Sequence, residues 1–500
     1  MERRIIALML AFLLLLTGCS QVQMNNQSFT IAQGVDATTL DPHMHNETPS
    51  ANVTRHIFDS LLTRDINMEL VPQLAESIQM LDPLTWEVIL REGIRFHNGE
   101  VFDAQAAKFS IVRLVDPQQG SPQLPSVSMI EAVEVMGDYK IHVITKNPYP
   151  LLPSRLTMAM VPPGYISEVG NEVFSERPVG TGPYIFEHWK KDEEVVLVRN
   201  DDYWMGKTAF EEVIFKVIPE SSVRIAELMS GQVDLIGNIP PHQVSVLENN
   251  EHIKILTVPS GRIIFIQWVT DSDSPIADPR VREAIQYAVD METIVETIFE
   301  GYAKRISQPL TVNDFGHHPE IEMQKHDPMK ARERLAEAGY ENGISLVLDG
   351  PMGRYSLDKE VMQAIQGQLE AVGIEVTVNF NEWGVHVGKI LDRKMENGYL
   401  IGWGSSLFDA DATLYPNFHS SSRISFFANQ KVDQLLDRAR ETMDPVARLE
   451  CYHEALEIIT AEAAVLALYQ PEDMYAMRRH IQWQPRADEM IDVRDMKLIK

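Results

Sequence analysis

Apolar positions along this chain recur in two rhythms. Short stretches that alternate or run apolar, such as residues 85–91 (TWEVILR), 140–146 (KIHVITK), 194–199 and 213–218, predict strands. Longer stretches with apolar spacing of three and four predict helices over 221–230 (SSVRIAELMS), 278–289 (DPRVREAIQYAV) and 358–371 (DKEVMQAIQGQLEA). Asp278 before Pro279 reads as an N-cap followed by a first-turn proline. After the third helix, Gly373 stops the turn and Ile374-Glu375-Val376 starts a strand, so 344–376 reads as a βαβ unit. Strands and helices alternate throughout without a tandem repeat, which predicts α/β architecture. Two loops, GPMGRYS after the strand at 344–349 and GWGSSLFDAD from the strand at 399–402, leave the carboxyl ends of strands, where open α/β sheets place ligands. Asn98-Gly99 marks a hairpin turn and Asp103 a helix N-cap, both read as architecture.

The N-terminus breaks this pattern. Arg3 and Arg4 precede an unbroken apolar run over 5–16 that ends at Thr17, Gly18 and Cys19. The run is shorter than the ~20 residues of a membrane span and reads as an export signal, 1–18, removed on maturation. Leu16-Thr17-Gly18-Cys19 resembles a lipobox, which implies acylation of Cys19 and a polar tether over 19–27. The other cysteine, Cys451, lies in a helical stretch and reads as a buried small apolar residue, so the fold must stand without a disulfide. A net charge of −28 over 500 residues argues against nucleic-acid partners. Length, with 44% hydrophobic and 23% charged residues, fits a globular protein of two or three domains.

A series of short motifs now falls into order: Thr39-Leu40-Asp41-Pro42, Leu74-Ala75-Glu76-Ser77, Trp86 in TWEVILREGIRFHNGEVFDA, Gly180-Thr181-Gly182-Pro183-Tyr184, Tyr203-Trp204, Val281-Arg282-Glu283-Ala284, Gly402-Trp403 and Trp483-Gln484-Pro485-Arg486. In this order they resemble the peptide/nickel class of bacterial solute-binding proteins of ABC importers, family 5. The resemblance implies a periplasmic-binding-protein-like fold of two hinged lobes with an extra α/β domain inserted in the first. Carried onto this chain, lobe I holds 28–44, 178–262 and 475–500, the insert 45–177, and lobe II 263–474. It implies a monomer held at the extracytoplasmic face of a membrane through Cys19. The partners it implies are a small ligand between the lobes and ABC permease subunits.

Candidate ligand contacts follow from residue chemistry and from the resemblance. Arg354, on a glycine-bounded loop beside Tyr355, can present a planar fork to a carboxylate, and similar proteins use an arginine in this region; a salt bridge to Asp358 or Glu360 is the structural alternative. Trp403, Trp383 and Trp268 lie in or beside candidate loops and offer apolar contact with a hydrogen-bonding edge. Thr181, between two glycines, sits where backbone approaches a neighbour or ligand. Where dipeptide-binding relatives carry an aspartate for the ligand amine, this chain has Ser406 after Gly404, with Asp409 and Asp411 following as substitutes or as caps. The histidine of the nickel branch falls at Asp411. His317-His318 and the pair His43 and His45 are thin metal candidates, and His419 reads as structural.

No nucleophile elbow, P-loop, zinc-protease or redox-cysteine motif occurs, so catalysis and cofactors are not expected, although paired carboxylates alone leave a glycosidase open. The reading is a capture subunit for a short or modified peptide or an opine-like conjugate. A nickel chelate, or a peptide signal sensed without transport, is the alternative.

Overall fold

The computed structural model describes residues 28–352, 354–381, 383–404 and 407–499. Among these residues the largest sheet has twelve strands. From one edge it runs Ile374–Asn381, Ile344–Pro351, Gly398–Gly404, Arg262–Trp268, Val465–Arg478, Leu235–Gly237, Ser28–Gln33, Glu212–Val217, Glu194–Arg199 and Tyr184–Lys190; Ile253–Pro259 and Ala303–Arg305 pair on Val465–Arg478 off this path. The first half of Val465–Arg478 pairs with Arg262–Trp268 and the last part with Leu235–Gly237, so one strand belongs to two lobes. The second connection is the chain between Ile253–Pro259 and Arg262–Trp268. There Ser260 donates its N–H to the Pro471 carbonyl at 2.9 Å, and Gly261 donates to the Ala487 carbonyl at 2.7 Å.

Lobe II is built on the βαβ unit read from the sequence. Ile344–Pro351 and Ile374–Asn381 pair in parallel, joined by the helix Asp358–Glu370. Gly373, at φ 96°, lets the chain turn into the second strand. Gly398–Gly404 runs parallel to Ile344–Pro351, so the two candidate loops leave the same end of the sheet. The helix Pro279–Ala288 starts as expected, with the Asp278 side chain accepting the Arg280 N–H.

The inserted domain has its own antiparallel sheet of Ala75–Asp82, Thr85–Leu90, Lys140–Thr145 and Ile130–Gly137. The helix Ala104–Val115, capped by Asp103, contributes Ala106, Ala107, Ile111 and Leu114 to the same core. Apart from Leu407, that core takes its buried side chains from Leu61 to Met160, whereas Val53, Ile57, Phe58, Val161, Ile166 and Phe174 join the lobe I core. The helices Thr48–Ile57 and Pro163–Glu176, both within the 45–177 expected for the insert, therefore pack on the lobe I core.

Two features of this frame set stability. A Cβ on Gly180 would stand 2.0 Å from the Ile57 carbonyl oxygen, and one on Gly182 would stand 2.6 Å from that of His56, so this turn needs glycine for close backbone contact. His43, His56 and His97 are each held neutral by opposed hydrogen bonds. His43 Nε2 donates to Ala159 O (2.8 Å) while Nδ1 accepts from Arg113 (3.0 Å). His56 Nδ1 donates to Asn52 O (2.7 Å) while Nε2 accepts the Val493 N–H (3.0 Å). His97 Nε2 donates to Gly182 O (3.0 Å) while Nδ1 accepts the Gly180 N–H (3.4 Å). Burial lowers the pKa of each from 6.5 to about 4.

Gly180→Ala is expected to cost roughly 1–3 kcal/mol, the usual range for overpacking, read by urea denaturation. Between pH 6.5 and 4 the unfolded histidines bind protons that the folded ones refuse. Their contribution is thus complete above pH 6.5 and is lost as pH falls toward 4, and a melting temperature unchanged over that window would contradict it.

Candidate functional site

A cavity of about 500 Å³ opens between lobe I, the insert and the edge of lobe II. Its wall draws on the Pro42–Arg64 region, on 154–159 of the insert, on Gly261, Arg262, Gly404 and Leu407, and on the C-terminal segment 486–494. In a chain of net charge −28 this wall is cationic: Arg55, Arg64, Arg155, Arg262, Arg486 and Arg494 face Glu47, Asp59, Asp488 and Glu489. Arg55 and Arg494 both pair with Asp492, at 3.2 and 2.5 Å, and Arg486 pairs with Asp488 at 2.6 Å. Arg64 and Arg155 have no carboxylate within ion-pair distance among the described residues. Arg64 donates to the carbonyls of Met68 and Leu407, and Arg155 donates to the Tyr149 hydroxyl.

Asp59 organises the floor. It lies fully buried and accepts from Thr181 Oγ1 (3.0 Å), Trp204 Nε1 (3.0 Å), Tyr203 OH (3.0 Å) and Gln73 Nε2 (2.6 Å), with Arg494 at 3.5 Å. Burial raises its pKa, and Arg494 and the hydrogen-bond donors oppose that rise. The Gly-Thr-Gly and Tyr-Trp motifs therefore meet at one carboxylate, and Thr181 serves Asp59 rather than projecting toward a ligand.

On the lobe II side, the Arg354 guanidinium stands 5.1 Å from the Tyr355 ring centre and 5.2 Å from that of Trp383, a geometry for cation–π contact. Among the described residues no carboxylate comes within ion-pair distance of it. Asp358, the expected alternative partner, accepts the backbone N–H groups of Arg354 (2.9 Å) and Tyr355 (3.1 Å). Partial desolvation, and then the neighbouring Arg262, lower the Arg354 pKa. Arg262 itself pairs with Glu489 at 3.2 Å across the hinge crossing. Tyr355 is mostly buried and its hydroxyl donates to Gly402 O at 3.2 Å, so it supports the loop.

Other expected contacts are placed elsewhere. Trp268 is 0% exposed within the lobe II core and does not line this cavity. Trp403 donates its indole N–H to Ala412 O at 2.7 Å and packs on the second lobe II cluster, and only Gly404 of that strand end meets the cavity. Asp409 is buried and gripped by both Arg448 amino groups at 2.7 and 2.6 Å. Asp411 pairs with Arg440 at 2.7 Å. Both aspartates anchor their segment to lobe II helices, and neither lines the cavity. Ser406 and Cys19 lie outside the described residues.

His317 and His318 sit by the helix Pro445–Ala461, where the His318 and His453 rings are 4.2 Å apart, away from the cavity. His43 is enclosed, His45 lines the wall, and His419 stacks on Tyr415 at 4.3 Å. Among the described residues no group of three or more His, Cys, Asp or Glu could hold a metal ion. Cys451 is buried, which raises its thiol pKa. The C-terminal wall, Arg486 to Arg494, was absent from the expected contacts, although its Trp-Gln-Pro-Arg motif was visible.

Residues 69–424 match the bacterial extracellular solute-binding proteins, family 5 Middle. The glutathione-binding protein GsiB of Pectobacterium atrosepticum is 30% identical over 448 residues, covering 87% of this chain and 86% of that protein. The periplasmic binding protein DppA of Helicobacter pylori, solved with the peptide STSA, superimposes with a TM-score of 0.80 at 25% identity, over 95% of this chain and 99% of that one. NikZ of Campylobacter jejuni, solved with Ni(L-His), gives a TM-score of 0.82 at 24% identity, over 94% and 99%. The chain belongs to family 5 of the bacterial extracellular solute-binding proteins, the substrate-binding components of ABC importers. No helix among the described residues is long and apolar enough to cross a membrane.

Asp409→Asn strands the buried Arg448 charge and is expected to cost about 3–5 kcal/mol of unfolding free energy, measured in guanidinium. Weakened ligand binding with unchanged stability would instead return Asp409 to the site.

Proposed function

We propose that the chain captures a small, carboxylate-bearing, peptide-like ligand between its lobes and delivers it to an ABC permease. The observation that carries this reading is Arg354: a guanidinium flanked by two aromatic rings and without a carboxylate partner among the described residues, itself outside the cavity wall but a charged neighbour of Arg262, which lines it. Such a fork matches a carboxylate in two hydrogen bonds. A cavity of about 500 Å³ is in the range of small-molecule sites and admits a short peptide or an opine-like conjugate. Relatives that bind glutathione and a tetrapeptide support this class. Ligand touching both lobes adds to the stability of the closed form that is presented to the permease.

A nickel chelate is the second reading, supported by the Campylobacter relative. With no three-ligand metal cluster among the described residues, the arginines would hold the chelator's carboxylates. Acylation of Cys19 would keep a monomeric capture domain at the membrane in either case.

Native mass spectrometry of the domain, titrated with glutathione, tetrapeptides, opines and nickel–histidine, tests the proposal. We expect retention of a carboxylate-bearing peptide or conjugate. A hydrogen bond to a charged group contributes about 1.5–3 kcal/mol, so Arg354→Ala is expected to weaken binding roughly 10- to 100-fold. Selective retention of nickel–histidine favours the second reading, and retention of none of the four, by folded protein, overturns both.

A further inference from the structure

Leu407 comes from lobe II but packs in another domain. Its side chain, 6% exposed, belongs to the apolar core of the insert with Leu61, Leu74 and Met158. Its carbonyl accepts Arg64 Nη2 at 2.5 Å, while Nη1 of the same guanidinium binds the Met68 carbonyl at 2.5 Å. Arg64 closes the strand Leu62–Arg64 of the insert and stands 5.4 Å from the centre of the Phe408 ring. Phe408 in turn clusters with Met68 and with Ala487 of lobe I.

The segment is built to hold this position. Phe408 (φ 52°) and Met68 (φ 66°) both take left-handed backbone, which non-glycine residues adopt only when surroundings enforce it. Asp409 and Asp411 tie the segment back to lobe II through Arg448 and Arg440. The Phe408 ring also reaches the hinge crossing: a Cβ on Gly261 would lie 3.2 Å from its Cζ. A further contact joins the insert to lobe II, Asn147 Nδ2 donating to Glu441 Oε1 at 3.0 Å.

We propose that Arg64, Leu407 and Phe408 form an interlobe latch that holds the cleft shut without ligand. Arg64 is a positioning residue here: it lines the cavity, yet its two outer nitrogens are committed to carbonyls, one in the insert and one in lobe II. Opening the cleft must withdraw Leu407 from an apolar core and break the Arg64 bridge. The affinity of any ligand then scales with the closed fraction the latch maintains. This inference concerns the empty protein and does not rest on the ligand class proposed above.

The test is a spin-label distance between lobes, with nitroxides at Met205→Cys in lobe I and Met329→Cys in lobe II, both exposed (61% and 79%), in a Cys19→Ser, Cys451→Ala background. Endogenous ligand is removed by unfolding and refolding. The parent protein is expected to give one short-distance population. Arg64→Ala and Leu407→Ser are each expected to shift the larger part of it to longer distance, with circular dichroism showing a retained cooperative melt. Should Leu407→Ser fail to fold, Arg64→Ala alone decides. A parent distribution already at long distance, or a folded Arg64→Ala that superimposes on the parent, overturns the latch.

Discussion

The strand Val465–Arg478 hydrogen-bonds to lobe II along its first half and to lobe I along its second, and a paired strand does not stretch. The lobes therefore cannot slide apart. They can turn where the strand changes partner, between Pro471, which pairs with Ala303, and Glu472, which pairs with Pro259; there the companion crossing at Ser260 is bonded on both sides, Gln470 donating to its carbonyl at 2.5 Å and its own N–H going to the Pro471 carbonyl. Every site residue inherits its position from this pair of crossings. Arg262 and Gly261 reach the cavity because they are the first residues past one crossing, and Glu489 meets Arg262 because the C-terminal segment returns beside it. Hinge closure of this kind turns the lobes as bodies about the two crossings.

Much of the architecture was legible because it is periodic. The strand at 194–199 and the helix at 221–230 have the bounds their apolar spacing predicts, and the βαβ unit in lobe II follows from a helix, a glycine and a β-branched run. The site was less legible because its partners are remote in sequence. Asp409 and Asp411 have the spacing of ligand grips, yet the arginines that consume them lie on helices a full element or more downstream. Trp268 sits at the end of a strand, as a platform might, but that strand is central in the sheet and buries it. No local pattern announces that Asp59, Thr181, Trp204 and Arg494 share one point, since four segments of the chain build it. Arg354 was a candidate only because a glycine-bounded loop and the resemblance both pointed to it.

Acidity outside and cationic character within divide the electrostatic work. At physiological ionic strength the field of the −28 surface charge is screened over about 8 Å, so it does little to a ligand already inside the cleft. Within, low dielectric strengthens each guanidinium's field, and the pairs with Asp492, Asp488 and Glu489 keep the arginines oriented without neutralising the wall. For the carboxylate ligand proposed, discrimination would then rest on short-range hydrogen-bond geometry rather than long-range attraction.

The cavity wall contains arginine but, among the described residues, no lysine, and burial lowers the pKa of its histidine, His45. A guanidinium keeps its proton at any pH a cell envelope meets. The wall's positive charges are therefore fixed, whereas a free carboxylate ligand carries its charge only above its own pKa. Were the cargo a carboxylate, as proposed, acidification would remove its charge before any guanidinium of the wall lost its own.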